Sequence, residues 1–309
     1  MHEALVYDTD TRFVDVLAPF VADGVSAGDQ VCVVSRPSNM DLLRDAIGPD
    51  GGQVSYIDAT EWYSTPARTI AGYHRTIRAA RAAGAARIRV VGEVEFGDTE
   101  AEHAAWTRYE SILNAAFADD PAWIICPYDA RRLPARVVED ARRTHSHDAV
   151  EPGAPGHNKA FVDPHMFVAP LPLVMRGAVV AEIEFALDCD LRQVRKVAGR
   201  AGTEAGLSAE RAAELVIVVS ELATNALVHG RSPARLRACR DDRALTLEVS
   251  DGGDNGLEPM AGFRPPVRNT VGGVGLWISR QLADHLEIVP EPNGTTVRIR
   301  FDVGDPVAT

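Results

Sequence analysis

Ser220-Glu221-Leu222-Ala223-Thr224-Asn225-Ala226-Leu227-Val228-His229-Gly230 closes a run of helix formers that opens near Ser208, a good N-cap, and stops at a glycine. At about 100° per residue, Glu214, Glu221, Asn225 and His229 share one arc of roughly 80°. Leu215, Val219, Leu222 and Ala226 fall on a separate stripe suited to a core. The helix therefore buries one stripe and presents two carboxylates, a carboxamide and an imidazole on another. A helix that only packs has no need of that clustering. A site does, because Asn225 can offer its carbonyl oxygen to a hard cation and Glu221 can accept a proton.

Working outward, Val179–Phe185 alternates like a strand and Asp190–Ala205 reads as a helix upstream of the motif. Downstream, Ala234–Arg240 and Ala244–Ser250 read as strands around the turn Asp241-Asp242. Asp251-Gly252-Gly253 follows the second strand. A loop carrying Arg264 and Arg268 then leads to Gly273-Val274-Gly275-Leu276, which opens another helix running to about His285. Glu287–Val289, Gly294-Thr295 and a strand through Phe301 close the pattern.

The order matters more than any single piece, and each step suits a nucleotide. Asp251 at a strand end can accept from an exocyclic amine such as that of adenine, and Gly253 lets a base approach the backbone. Gly273 and Gly275 at a helix N-terminus bare N–H groups for phosphate oxygens. Asn225 supplies an oxygen to the Mg2+ that bridges those phosphates. Arg264 and Arg268 are placed either to meet a γ-phosphate or to stay solvated. His229 either lies beside the site or packs.

This half resembles the GHKL ATPase superfamily with its Bergerat-type ATP site. More narrowly, it resembles the anti-sigma-factor serine/threonine kinases. Glu221-Leu222-x-x-Asn225-Ala226-x-x-His229 is similar to their N-box. Asp251-x-Gly253, Gly273-x-Gly275-Leu276 and Gly294-Thr295 are similar to their glycine boxes. The resemblance implies ATP and Mg2+ as cofactors, with Asn225 on the metal and Asp251 on adenine. It implies that Gly253, Gly273, Gly275, Leu276 and Thr295 line the nucleotide, that Glu221 is the general base, and that the loop before Gly273 is a lid. No helical hairpin with a phosphoacceptor histidine is legible upstream, which separates this pattern from a histidine kinase.

In the first half, apolar runs at Ala4–Tyr7, Gln30–Ser35, Gln53–Ile57, Arg87–Val91 and Trp123–Pro127 alternate with helical patterns. Those lie near Arg12–Ala22, Met40–Ala46, Pro66–Ala83, Glu102–Phe117 and Pro134–Thr144. Alternation of this kind implies an α/β domain with a mainly parallel sheet. Ligands of such sheets sit beyond the carboxyl ends of the strands. Here those ends carry Tyr7-Asp8, Ser35-Arg36, Asp58, Gly92-Glu93 and Cys126-Pro127-Tyr128-Asp129. No lysine precedes Lys159, so the phosphate-loop pattern G-x-x-x-x-G-K-[ST] cannot occur in this half. A RecA-like fold without a Walker A motif is expected.

His2 through Tyr7, Gly92-Glu93, Trp106-x-x-Tyr109-Glu110 with Asn114, and Cys126 through Ala130 resemble the MEDS sensory domain. That resemblance implies a sensor of a small ligand or signal. From the residues alone, His2 reads as a local structural histidine, Trp106 and Tyr109 as helix packing, and Cys126 as a buried strand thiol. Glu93 and Glu110 read as a buried polar pair or as rim charges. His145-x-His147 reads as solvated tail, with metal binding a weaker alternative because two histidines alone are a weak signal.

Residues 148–177 carry Pro152, Pro155, Pro164, Pro170 and Pro172, which breaks regular structure and suggests a linker. The expected organisation is a sensory domain at 1–147, a proline-rich linker at 148–177, and an α+β ATP-binding kinase domain at 178–305. The last is read as a helix layer on a mixed sheet. Over all 309 residues the formal charge is −12, which disfavours a nucleic-acid surface. Four scattered cysteines without metal-like spacing, no signal peptide and no long apolar span imply a cytoplasmic protein with no membrane partner.

The whole arrangement resembles the RsbA-like anti-sigma regulatory proteins. That implies a protein kinase acting on a serine or threonine of an anti-anti-sigma (STAS-type) partner, and a sigma factor as second partner. A homodimer and a small-molecule ligand of the first domain are further expectations. A nucleotide-dependent binding switch without phosphoryl transfer, or a sensor with a relic ATPase half, are the other readings the residues allow.

Overall fold

The computed structural model describes residues 1–151, 154–167, 173–186, 191–253, 257–258, 260–266, 273–291 and 294–304. The chain divides into two compact units, Met1–Leu171 and Pro172–Thr309.

In the first unit the elements run β1 (His2–Tyr7), α1 (Asp10–Ser26), β2 (Gln30–Ser35), α2 (Pro37–Ile47), β3 (Ser55–Asp58), α3 (Ala59–Trp62) and α4 (Pro66–Ala82). They continue as β4 (Ile88–Gly92), α5 (Glu100–Ala116), β5 (Ala122–Asp129), α6 (Ala135–Thr144), β6 (His147–Glu151) and β7 (Ala154–His157). Threonines start three of the helices. Thr9, Thr65 and Thr99 each accept from a first-turn N–H, and Thr99 with Glu102 closes a reciprocal capping box.

The strands order as β3-β2-β4-β5-β1-β6-β7, and every pair is parallel except β6 with β7. All five residues of β4 are buried, as a strand covered on both faces requires. Because β1 to β5 run the same way, Tyr7, Ser35, Asp58, Gly92 and Asp129 end at one edge of the sheet.

Two expectations change here. Residues 148–151 and 154–157, expected in the linker, belong to the sheet: β6 pairs with β1 (Ala4↔Asp148) and β7 pairs antiparallel with β6. His145 is not solvated either. It is fully buried, and Asn158 donates to its carbonyl at 3.1 Å, folding the segment inward.

The second unit contains β8 (Ala178–Phe185), α7 (Leu191–Ala205), α8 (Ala209–His229), β9 (Arg231–Arg240), β10 (Ala244–Gly252), α9 (Val274–Leu282), β11 (His285–Glu291) and β12 (Gly294–Asp302). Helices cover a sheet ordered β11-β12-β10-β9-β8. Its four pairings are all antiparallel, where a mixed sheet was expected. The α9 crossover brings β11 back in the direction of β10, but β12 lies between them, so no parallel pair forms.

Ser208 caps α8 as expected, accepting from Arg211 N at 3.2 Å. The stripe Leu215, Val219, Leu222 and Ala226 enters the core with Leu236, Leu247 and Ile299. Burying each large apolar side chain contributes roughly 2 kcal/mol. The sequence offers no long apolar span by eye, yet α8 is long and apolar enough by length and composition to cross a membrane. One stripe of it is buried in this core, while Ile217 and Val228 on other faces are exposed.

Candidate functional site

The site is built along α8. At its C-terminal end, Gly230 does not take the left-handed conformation common after helices; its φ is −86° and ψ −171°, because the chain passes directly into β9. Glycine is needed there for a different reason. The carboxylate of Asp251 occupies the place where a Cβ on Gly230 would stand.

Asp251 is held by the sheet. It faces Thr295 across the β10–β12 ladder, and the β9–β10 register slips between Ser250 and Gly252. A bulge at this point re-aims the side chain and loosens the strand end. Gly253 and Gly294 continue the pattern: a Cβ on Gly253 would stand 3.3 Å from Asp251 Oδ1, and one on Gly294 would strike the Asp251 carbonyl. Thr295 is buried, and its hydroxyl accepts from Leu257 N at 3.4 Å. Burial pushes the Asp251 carboxyl above its ordinary value, against a smaller opposing pull from His229. Asp251 is therefore a recessed acceptor enclosed by glycine backbone.

At the other end of the motif, the Glu221 carboxylate lies against Gly275 in the first turn of α9. Gly273, the N-cap of α9, has φ 84° and supplies no side-chain hydrogen bond to the helix. The N–H groups of Val274, Gly275 and Leu276 have no intrahelical acceptor, as in any first turn, and their dipoles favour an anion. The Leu276 side chain is buried in the core, so only its backbone belongs to this open end.

Asn225 is half-buried on α8, one turn from Glu221 toward Gly230. From Glu221 to Gly230 the helix rises about 13 Å at 1.5 Å per residue, the order of length of an extended nucleoside triphosphate. One helix thus joins a recessed carboxylate at one end, a carboxamide in the middle, and a glycine-bared helix N-terminus beside a second carboxylate.

Glu214, on the same arc of α8, is drawn into another role. Arg211 pairs with Glu214 and donates to the Leu282 carbonyl at 2.7 Å and to Asp284 at 2.5 Å. Arg264 is exposed; Arg268 lies outside the described residues. Arg280 has a structural role that no sequence motif marks. It is buried on α9, stacks over Phe263 at 3.8 Å from the ring centroid, and donates to the Ala261 carbonyl at 2.7 Å. It fastens the loop that precedes α9, and nothing in its local pattern distinguishes it from a surface helix arginine.

The first unit carries a second candidate site where strand ends were expected to meet. A cavity of about 470 Å3 is lined by Arg36, Tyr63, Glu93, Trp106, Asp129 and Arg132, among others. Glu93 is its buried centre, accepting from Tyr7 Oη at 3.2 Å, Arg36 Nε at 2.9 Å, Asn39 Nδ2 at 3.0 Å, and Ser35 Oγ. Arg36 also stands 3.5 Å from Asp129. Asp58 stays outside this network and caps α3 instead, accepting from Thr60 N at 2.9 Å. Trp106 and Tyr109 pack edge-on to Tyr63 as expected for helix packing, and Trp106 also forms part of the cavity wall.

Comparison with known proteins agrees with this division. Residues 1–146 match the family model of MEDS, the methanogen/methylotroph DcmR sensory domain. Residues 183–301 match the model of the histidine kinase-like ATPase domain. The chain therefore joins a MEDS sensory domain to a histidine kinase-like ATPase domain of the GHKL type. No curated protein matches it. Among solved structures, the blue-light activated histidine kinase of Erythrobacter litoralis EL346 is similar at 22% identity and a TM-score of 0.26. The match covers 38% of this chain and 43% of that one, so this chain spans less than half of that protein's length.

Proposed function

We propose that the second unit binds ATP with Mg2+ and transfers the γ-phosphoryl group to a serine or threonine of a protein partner. The observation that carries this reading is the placement of Glu221 and Asp251 at the two ends of one helical segment. Each is held against glycine backbone at Gly275 and Gly230 respectively.

In this reading Asp251 accepts from the adenine amine, and Thr295 and Gly253 border the base. Asn225 is the protein's oxygen ligand to Mg2+, and the N–H groups from Gly273 to Leu276 receive phosphate oxygens. The ion's role is to offset charge on the phosphates. Glu221 takes the proton of the partner's hydroxyl as its oxygen bonds to the γ-phosphorus and the bond to the ADP oxygen breaks. The products are a phosphorylated side chain and ADP, with the proton on Glu221. Arg264 lies in the segment that precedes α9, and Arg280 anchors that segment at Ala261 and Phe263.

The partner is an anti-anti-sigma protein of the STAS type, and a sigma factor is held inactive in the alternative complex. A small ligand in the Glu93 cavity biases the exchange. β8, with Val179 and Val180 exposed, lies at one end of the sheet and suits pairing of two copies. The motif order and the sequence resemblance support this reading over an autophosphorylating histidine kinase.

Incubation of the full chain with Mg·ATP and candidate anti-anti-sigma proteins, followed by mass spectrometry, tests it. Phosphoserine or phosphothreonine on the partner is expected. Tight ATP binding with no phosphate transferred to any partner would leave a nucleotide-dependent binding switch in its place.

A further inference from the structure

The first unit contains a cluster that the nucleotide reading does not use. His2, Glu110, Cys126 and His145 are all buried, and their ligand-type atoms lie within 4.8 Å of one another. They come from β1, α5, β5 and the segment after α6. His2 Nε2 stands 3.2 Å from Glu110 Oε2 and 3.3 Å from Cys126 Sγ. His145 Nε2 stands 3.2 Å from the same Glu110 oxygen.

The surrounding hydrogen bonds determine which atoms carry protons. Asn114 Nδ2 donates to the Thr144 carbonyl at 2.7 Å, so its Oδ1 is the acceptor for His2 Nδ1 at 3.2 Å. His145 Nδ1 is 2.8 Å from the Ala141 carbonyl, which can only accept. Each neutral imidazole therefore donates from Nδ1 and turns a bare Nε2 lone pair toward the Glu110 carboxylate.

Lone pairs then face lone pairs in a site with no water access. Glu110 Oε1 and His145 Nε2 have no hydrogen-bond partner, although both residues are wholly buried. The Cys126 thiol can donate to His2 Nε2 at 3.3 Å, but Glu110 Oε1 and His145 Nε2 stay without a partner. Buried carboxylates are normally paired or bound to a metal. A cation at the centre satisfies all four groups together.

We propose that His2, Glu110, Cys126 and His145 form a tetrahedral site for a borderline divalent transition-metal ion, with Zn2+ as its type. The donor set of two imidazoles, one thiolate and one carboxylate fits that class. So does the geometry. Bonds of about 2.0–2.3 Å to a tetrahedral centre place ligand atoms roughly 3.3–3.8 Å apart; the three contacts made by His2 Nε2 and Glu110 Oε2 are 3.2–3.3 Å, and all four ligand atoms lie within 4.8 Å of one another. Both imidazoles already have the outer hydrogen bonds that orient metal-binding histidines.

The site lies behind the wall of the Glu93 cavity. Trp106, one turn from Glu110 on α5, and Pro127, next to Cys126 on β5, both line that cavity. The ion would join α5 to β1 and β5, and so hold the wall against which a sensed ligand rests.

The test uses the full chain, stripped with a chelator and titrated with Co2+ or Zn2+ alone. One equivalent of Co2+ is expected to give tetrahedral d–d bands and a thiolate-to-cobalt charge-transfer band. Zn2+ is expected to displace it and raise the thermal midpoint by on the order of 5 °C. Cys126→Ser should lose the charge-transfer band; the double variant His147→Ala/His157→Ala should keep it. X-ray absorption on the wild-type zinc form should show one sulfur near 2.3 Å with nitrogen and oxygen near 2.0–2.1 Å, which covers the case of a variant that does not fold. A folded wild-type chain without the band overturns the site, as does a band retained in Cys126→Ser or a zinc shell without sulfur.

Discussion

The carboxylate of Glu221 on α8 lies against Gly275 in the first turn of α9, where a Cβ would collide with Oε2. The contact places a carboxylate beside the open N-terminus of α9. It also makes residue 275 sensitive to a single methyl group.

Gly275→Ala is expected to destabilise the second unit by about 1–3 kcal/mol, the usual cost of overpacking, and to weaken ATP binding. Pairing it with Glu221→Ala removes the atom it strikes. The double variant should recover part of the lost stability, a coupling of about 0.5–3 kcal/mol. Thermal or urea denaturation of the four proteins checks this; strict additivity would mean the two side chains do not meet.

Glu221→Ala should bind ATP within a few-fold of wild type, because the residue touches the helix start and not the base pocket. Partner phosphorylation should fall by roughly 10²–10⁴-fold, the range for loss of a general base. Binding is read by calorimetry and transfer by partner phosphorylation. Unchanged transfer with unchanged binding would remove Glu221 from the chemistry.

Asp251 provides a pH signature. Its folded carboxyl is shifted upward by burial, so it takes up a proton at a higher pH than a free aspartate. ATP affinity should decline on acidification while the pH is still above the ordinary aspartate range. The decline is not unfolding driven by this group. A carboxyl with a raised folded value is destabilising when ionised, and protonation as pH falls relieves that cost. Asp251→Asn should weaken ATP about 10–100-fold, as expected for losing a charged hydrogen-bond partner, and flatten the pH dependence. Fluorescent nucleotide titrations across pH test both.

In the first unit, Arg36 offsets the buried carboxylate of Glu93, and their side chains are only 15% and 6% exposed. Arg36→Ala should destabilise that unit by about 3 kcal/mol, because one charge is left buried without its partner. Arg36→Lys should rescue only part, since a point charge cannot reproduce the two-nitrogen contact. Glu93→Gln should cost less than Arg36→Ala, because Asn39, Ser35 and Tyr7 still bond the amide. Urea denaturation of the full chain, followed at its first transition, separates these outcomes.

Much of the architecture is legible without coordinates because it is local. The helix of Asn225 is marked by Ser208 as N-cap and by the period of Leu215, Val219 and Leu222. The strands before Ser35 and Gly92 show as short apolar runs. What is not legible depends on partners distant in sequence. Pro155 looks like linker until β7 pairs with β6 and β6 with β1. Gly230 looks like a left-handed helix cap, but is a glycine because Asp251 fills its side-chain space. Arg280 looks like any surface arginine until Ala261 and Phe263 arrive beside it.

The order of the motifs, the absence of a lysine phosphate loop in the first half and the pairing of a sensory half with an ATPase half are properties of the one-dimensional chain. They depend on spacing and residue type alone. The meeting of Glu221 with Gly275, the enclosure of Asp251, and the gathering of His2, Glu110, Cys126 and His145 were decided only by tertiary packing. Each is a contact between side chains or backbone from separate elements, and periodicity within one element carries no information about which other element will cover it.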